Sequence, residues 1–387
     1  MPITLVHDWL TGMRGGEKCL EVACRNFPDA ELLTLLHQPG RTSSTIDAMR
    51  IRTSYLQRLP GRKHYRYMLP MMPRAIERLR PAANTELVLS FSHAVAKSIV
   101  PPPGVPHVCY CFTPMRYAWQ LRGDYFRTET PEGKIGVFAG KVFKAPVSAA
   151  RDVVLDRIRN WDQETADRVT HYVAISRTIA QRIADCYGRE STLIYPPVDT
   201  EFYTPANVAR EDFYLCVSAL APYKRIDLAI EACNRSRRKL VVIGDGQDHA
   251  RLERLAGPTI ELRGWQPDEV IRDAMRHCKA LLFPGLEDFG IVPLEAQACG
   301  AAVIAFGQGG ATETVLSPTT DQPGTGTFFA EQTPDSLNDA IERFEHSPQS
   351  FSANRARSQA EQFATARFER ELLTFLAKVR SQQHVAA

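Results

Sequence analysis

The stretch Phe283 to Val315, FPGLEDFGIVPLEAQACGAAVIAFGQGGATETV, decides how this chain is read. Ala280 to Phe283 is a short apolar run that predicts a buried parallel strand, and Pro284 to Gly290 is turn chemistry with Glu287 inside it. Pro293 suits a first helical turn, where its missing N–H would be unpaired anyway, and Gly300 suits the stop. Glu287 therefore falls on a loop and Glu295 early on a helix. A second strand, Val303 to Phe306, runs into Gly307-Gln308-Gly309-Gly310 and a new helix start at Ala311. Helix N-termini present free N–H groups and a positive dipole end, and glycines let ligand oxygens approach the backbone. Two such turns in succession suit a diphosphate. Taken alone, two glutamates near a helix are an ordinary solvated face. The strand context and the second glycine loop favour a sugar-nucleotide site instead.

Outward from this stretch the same pattern repeats. Strands are expected at Ile3 to Val6, Leu32 to Leu36, Leu87 to Phe91, His107 to Cys111, His171 to Ile175 and Thr192 to Tyr195. A second series follows at Tyr214 to Ser218, Leu240 to Ile243, Ile260 to Arg263, Ala280 to Phe283 and Ala302 to Phe306, with helices between. The alternation predicts an α/β chain of two facing, Rossmann-like doubly wound domains with a cleft between them. Tyr195-Pro196-Pro197-Val198-Asp199 marks the boundary, since two prolines stiffen the link and forbid a continuing strand or helix. The domains are set at 1–198 and 199–366, with a C-terminal helix, 367–382, expected to pack back on the first. No internal repeat relates the two halves.

Length and composition agree with two cores: 387 residues, 44 % of them hydrophobic. A net charge of +3 is too slight to argue for nucleic acid. Nine scattered cysteines without C-x-x-C or zinc spacing suggest free thiols in a reducing cytoplasm. MPITLVHDWL is too short an apolar run for a signal peptide, and no run of eighteen apolar residues occurs. Membrane contact is therefore expected to be peripheral at most.

Several smaller features bear on chemistry. In the first half, Gly15-Gly16 forms a glycine loop after the first strand, and His93 follows the strand ending at Phe91, both at ligand-facing strand ends. A lone histidine is also a common structural hydrogen-bonding residue. Arg58 to Arg80 carries seven Arg or Lys against the single acid Glu77, interleaved with Tyr65, Tyr67 and methionines. It suits a membrane face or a lipid-linked anionic acceptor, and equally a solvated helix packed on its apolar side. Cys109 to Phe126 is aromatic-rich, and Arg116, Tyr117, Trp119 and Arg122 are acceptor-side candidates, although ordinary loop packing also accounts for them. In the second half, Gly244-Asp245-Gly246 is an incomplete dinucleotide motif, with His249 where the third glycine belongs. Lys224-Arg225 follows the strand Tyr214 to Ser218, where two cations can neutralise a diphosphate leaving group.

As a set, these residues resemble the retaining GT-B glycosyltransferases of family 4, group 1, and within them the bacterial O-antigen-type mannosyltransferases. The resemblance rests on His7-Asp8-Trp9 with Gly15-Gly16-Glu17-Lys18, on Thr113-Pro114-Met115-Arg116-Tyr117, on Ala174-Ile175-Ser176-Arg177 and on Tyr195-Pro196-Pro197-Val198-Asp199. It continues through Pro222-Tyr223-Lys224-Arg225-Ile226-Asp227 and the block Glu287 through Glu295. The resemblance implies transfer of a hexose, mannose from GDP-mannose, to a lipid-linked or oligosaccharide acceptor in cell-surface polysaccharide synthesis, in the cytoplasm or at the inner membrane face. It implies Glu287 near the reacting carbon, Glu295 on the ribose, Lys224 on the diphosphate and His93 on the sugar. Phe289, Gly290 and Ile291 would offer backbone groups, Gly15-Gly16 would admit the phosphates, and Gly264 would lie near the base. Where many members have an arginine this chain has Ala219, and Arg225 is the candidate to replace that charge. No D-x-D pair of the kind that holds a metal on a diphosphate accompanies the set, so the transfer is expected to need neither metal nor cofactor. The alternatives are a sugar-nucleotide epimerase or a phosphorylase on the same fold, and a sugar-nucleotide-binding protein without turnover.

Overall fold

The structure, a computed structural model, describes residues 2–60, 62–119 and 144–386. The chain forms two compact units. The first comprises Met1–Ile175, Ile179–Ile194 and Leu373–Ala387, the second Ser176–Thr178 and Tyr195–Leu372.

The first unit holds a seven-stranded sheet: β1 (Ile3–His7), β2 (Glu31–Thr34), β3 (Arg50–Thr53), β4 (Leu87–Ser92), β5 (His107–Cys111), β6 (His171–Ala174) and β7 (Ser191–Leu193), in the order β3-β2-β1-β4-β5-β6-β7. Every pairing is parallel. The central strands are mostly apolar and buried on both faces; all five residues of β1 and all six of β4 are buried. Each fully buried Leu or Val there contributes about 1.5–3 kcal/mol. Edge strands differ, since β3 alternates between exposed and half-buried residues.

The second unit holds six parallel strands: β8 (Tyr214–Val217), β9 (Leu240–Ile243), β10 (Ile260–Leu262), β11 (Ala280–Phe283), β12 (Ala302–Phe306) and β13 (Gly326–Phe329), in the order β10-β9-β8-β11-β12-β13. In each sheet the strand order reverses once, between β1 and β4 in the first and between β8 and β11 in the second. Ligands of doubly wound sheets bind beyond the C-terminal strand ends at such a switch point.

Two strands were not expected. β3, RIRT, is a short edge strand with an arginine at every second position, and β13, GTFF, opens on glycine and threonine; neither has the apolar run of a central strand. The glycine pair is also corrected: Gly15 and Gly16 are the first two residues of the helix Gly15–Asn26, not a loop before it. The C-terminal helix is longer than expected, Thr365–Ala386, and its residues from Leu373 on belong to the first unit, where Phe375 meets His171 edge-on. All nine cysteines are buried and free. Among the described residues no helix is long and apolar enough to cross a membrane.

Candidate functional site

In the second unit the loops after β8 and β11 meet at the switch point. The chain leaves β8 through Ser218 to Ala221 and forms a single 3-10 turn, Pro222–Lys224. Arg225 follows in the left-handed region (φ 54°) and opens the helix Ile226–Ser236. From β11 the loop Pro284 to Gly290 carries Glu287, and the Lys224 ammonium pairs directly with the Glu287 carboxylate. Both side chains keep a partly open face, 20 % and 14 % exposed. Arg225 sits beside them with its Nε 3.3 Å from Asp227 Oδ1, and Arg251 lies 3.7 Å from the other oxygen of Asp227.

Gly290 has φ 93°, a conformation that costs a side-chain-bearing residue on the order of 1 kcal/mol or more, and it turns the loop into the helix Ile291–Ala298. Glu295 lies inside that helix and is only 5 % exposed. A fold retains a carboxylate this buried only where hydrogen-bond donors compensate it. Phe289 is buried and stacks on Tyr195 at 5.6 Å, so its ring belongs to the core.

After β12 the glycine run approaches the Glu287 loop backbone to backbone. Gly310 donates its N–H to the Glu287 carbonyl (2.8 Å), and a Cβ on Gly310 would lie 2.3 Å from Phe289 Cα. No side chain fits there. After β9, Gly244 donates to the carbonyl of Gly264, which lies in the turn that follows β10 beside the exposed Trp265. These contacts bring Lys224, Arg225, Glu287, Phe289, Gly290 and Ile291 to one end of one sheet.

A supporting layer lies behind the loop. Ser176 donates its hydroxyl to the Asp288 carbonyl at 2.6 Å. Glu313, on the short helix after the glycine run, accepts from the backbone N–H groups of Arg177 and Thr178 and from the Tyr195 hydroxyl at 3.1 Å. Burial first, then the Glu313 charge, raises the Tyr195 pKa. Ser176 and Tyr195 lay inside quoted motifs, but nothing in the local pattern pointed to Glu313.

In the first unit the corresponding switch point joins the chain beyond β1 to the chain beyond β4. The register, Ile3 with Leu87 through His7 with Phe91, brings Asp8 alongside His93. Asp8 is fully buried, and its carboxylate accepts backbone hydrogen bonds from His93, Ala94, Val95 and Ala96 at 2.7–3.0 Å. The His93 ring presents Nδ1 to the same carboxylate at 3.1 Å, and the ring is 28 % exposed. Trp9 packs edge-on against it, 4.6 Å between centroids. Beneath Gly16, His7 bonds the Phe91 carbonyl through Nδ1 and faces Glu17 through Nε2 at 3.7 Å, both side chains being buried. Burial works against a charged His7, yet the Glu17 carboxylate outweighs it and its pKa is raised. The Glu17 pKa is lowered for the reciprocal reason: burial opposes its charge, and the facing His7 ring prevails.

The acceptor-side candidates fare differently. Arg116, Tyr117 and Trp119 share one short helix, Arg116–Trp119. The Trp119 indole N–H donates to Asp162 at 2.8 Å and Arg159 covers its ring at 4.4 Å, so Trp119 anchors the unit's interior rather than presenting an open ring. Asp162 also pairs with the buried Lys97 at 3.1 Å. The Tyr117 side chain and Arg122 lie outside the described residues, as does the stretch beyond Trp119 as far as Phe126. In the basic stretch a 3-10 segment, Arg62–Met71, leads into the helix Met72–Arg78. Leu69, Met72, Ala75 and Ile76 are core residues, while Tyr67 and Met71 are exposed. Glu77, its single acid, bonds Arg168 at 2.8 Å.

Among the described residues no group of three or more His, Cys, Asp or Glu side chains is arranged to hold a metal ion. Residues 199–363 match the family described as glycosyl transferases group 1. The GDP-mannose-dependent alpha-(1-6)-phosphatidylinositol monomannoside mannosyltransferase of Mycolicibacterium smegmatis is 31 % identical over 196 residues, covering 42 % of this chain and 50 % of that one. The D-inositol 3-phosphate glycosyltransferase of Kribbella flavida is 31 % identical over 190 residues, 41 % of this chain and 44 % of that one. The chain thus spans half or less of the length of these curated relatives. In structure the chain is similar to Anabaena Alr3699/HepE, solved in complex with UDP, with a TM-score of 0.69 at 18 % identity over 98 % of this chain and 100 % of that one. The same protein has also been solved with UDP-glucose. The two parallel-sheet units have the GT-B fold, and within the second the segment 199–363 matches the family model of the glycosyl transferases group 1.

Proposed function

We propose that the protein transfers a hexose from a nucleotide sugar to a carbohydrate acceptor with retention of anomeric configuration. The observation that carries this reading is the Lys224–Glu287 pair at the switch point of the second sheet, on loops closed backbone to backbone by Gly310. A lysine already held by a carboxylate is positioned to move onto a diphosphate when one arrives, and Glu287 is then released toward the sugar. The bond between the anomeric carbon and the diphosphate breaks, the electron pair leaves with the diphosphate, and Lys224 stabilises the developing charge. The acceptor hydroxyl attacks the oxocarbenium-like carbon from the face just vacated, and its proton passes to the departing phosphate. Glu295 holds the ribose, and Phe289, Gly290 and Ile291 donate backbone N–H groups to the ligand. Arg225 supplies the cation that Ala219 does not.

The donor we favour is GDP-mannose, supported by a relative whose name specifies that donor. The acceptor is a lipid-linked saccharide of the O-antigen type. Tyr67 and Met71, exposed beside Arg74 and Arg78, are the surface through which the enzyme would rest on the cytoplasmic membrane face. Cations and helix ends replace a metal on the diphosphate, so EDTA is expected to leave turnover unchanged. Loss of turnover restored by Mg²⁺ would defeat that part. The donor is tested by thermal stabilisation across a panel of sugar nucleotides, because a ligand that binds only the folded state raises its stability with the logarithm of concentration over Kd. GDP-mannose should give the largest shift and release GDP when acceptor is added; a larger shift with a UDP-sugar would reassign the donor.

A further inference from the structure

His93 and His7 stand 6.1 Å apart between ring centroids, yet they are held in different ways. Asp8 cannot act as a donor: its two oxygens already accept four backbone N–H groups, so a proton on either would face a donor. The contact at 3.1 Å between Asp8 Oδ2 and His93 Nδ1 therefore sets that ring nitrogen against an acceptor-only carboxylate, which favours the hydrogen on Nδ1. Among the described residues no protein group hydrogen-bonds His93 Nε2, and the ring is 28 % exposed. Trp9, packed edge-on, limits the ring's freedom to turn away.

We propose that Asp8 is a positioning residue for His93: it fixes the hydrogen on Nδ1 and presents the Nε2 lone pair as the acceptor for a carbohydrate hydroxyl. This rests on the proposed function together with the family resemblance, which implies His93 on the sugar. Neutrality of the ring follows from its surroundings. The Asp8 charge is already met by four N–H dipoles and so needs no imidazolium beside it. The charged and titratable groups facing His93 are Asp8 and His7 from the end of β1 and Arg14 and Glu17 from around the helix start. Burial dominates and lowers the His93 pKa; Asp8 and Glu17 oppose this, and His7 and Arg14 reinforce it. The consequence for specificity is definite. An acceptor-only nitrogen selects a ligand hydroxyl that donates, so a sugar in which fluorine replaces that hydroxyl should bind no better than the deoxy sugar.

The test uses the full chain labelled with ¹⁵N at histidine, with the His93 signals assigned by their loss in His93→Gln. At pH 7 the long-range ¹⁵N–¹H pattern should show Nδ1 protonated and Nε2 bare. An Nε2–H tautomer or a charged ring at pH 7 overturns the proposal. This measurement needs no turnover, so it stands or falls separately from the glycosyltransferase reading. In a second arm, Asp8→Asn should lower kcat for nucleoside diphosphate release about 10- to 100-fold. The thermal shift given by GDP should be unchanged. An unchanged kcat, or loss of GDP binding in step with kcat, overturns the positioning role. Should Asp8→Asn fail to fold, the tautomer of the wild-type protein decides.

Discussion

Each sheet places a pair of ionisable residues at its own switch point, and the two pairs are built for opposite purposes. Beyond β1 and β4, Asp8 is fully buried and spends its charge on four backbone N–H groups and one ring nitrogen. Beyond β8 and β11, Lys224 and Glu287 neutralise each other while both remain partly open. The first arrangement is rigid, because removing one partner strands several others. In the proposed function the second is exchangeable, because an incoming anion would replace the carboxylate on the lysine at little net loss of electrostatic energy. One motif of doubly wound folds thus serves as a fixed scaffold in one unit and, in that proposal, as a ligand-responsive pair in the other.

The contrast can be broken at its rigid end first. Asp8→Ala would leave four backbone donors without acceptors and is expected to destabilise the first unit by about 3–5 kcal/mol, measured by urea unfolding. A cost below about 1 kcal/mol would deny Asp8 its structural role. At the exchangeable end, Lys224→Ala should cost little stability but reduce kcat by roughly 10²–10³, about 2.7–4 kcal/mol of barrier. Arg225→Ala alongside it sharpens the assignment of charge: unchanged donor turnover in that variant would remove Arg225 as the substitute for the missing arginine.

Smaller effects test the supporting layers. Gly310→Ala forces a methyl into the Phe289 backbone and should cost about 1–3 kcal/mol and weaken GDP binding, read together in a thermal-shift titration. Tyr195→Phe keeps the stack on Phe289 and removes only the hydroxyl from Glu313, for about 1 kcal/mol. If GDP affinity is untouched in Tyr195→Phe, the layer behind the loop is structural alone.

The pH dependence of stability is the mildest test. The His7 pKa lies above its usual 6.5, so its stabilisation is complete below that value and is lost as pH rises through the raised pKa. The Glu17 pKa lies below its usual 4.5, so its share is present above 4.5 and is lost as pH falls through the lowered pKa. The pair therefore supports the first unit best from about pH 4.5 to 6.5. Urea midpoints in His7→Gln should lack the decline that the wild type shows above this window.

Much of this was legible from local chemistry. Mostly apolar runs place β1, β4, β5, β9, β11 and β12 because a strand covered on both faces buries side chains on both. Glu287 on its loop and Glu295 on its helix follow from Pro284, Gly290 and Gly300 alone. β3 and β13 were not legible, since edge strands need bury only part of their surface and carry no such signature. For Trp119 the sequence leaves acceptor contact and loop packing both open, because an aromatic side chain in a sequence does not reveal that Asp162 and Arg159 will occupy it.

The sequence by itself determined the fold class, the strand-loop-helix character of the turns after β11 and β12, and which residue types could neutralise a diphosphate. These properties depend on backbone propensity, solvation and charge, which act over a few residues. Only the tertiary structure decided which charges meet. That Lys224 pairs with Glu287, that Asp8 bonds four N–H groups beyond β4, and that Glu313 braces Tyr195 all depend on strand order and register. Contacts between residues 60 to more than 100 positions apart are fixed by how parallel strands align, and no local pattern in the chain encodes that alignment.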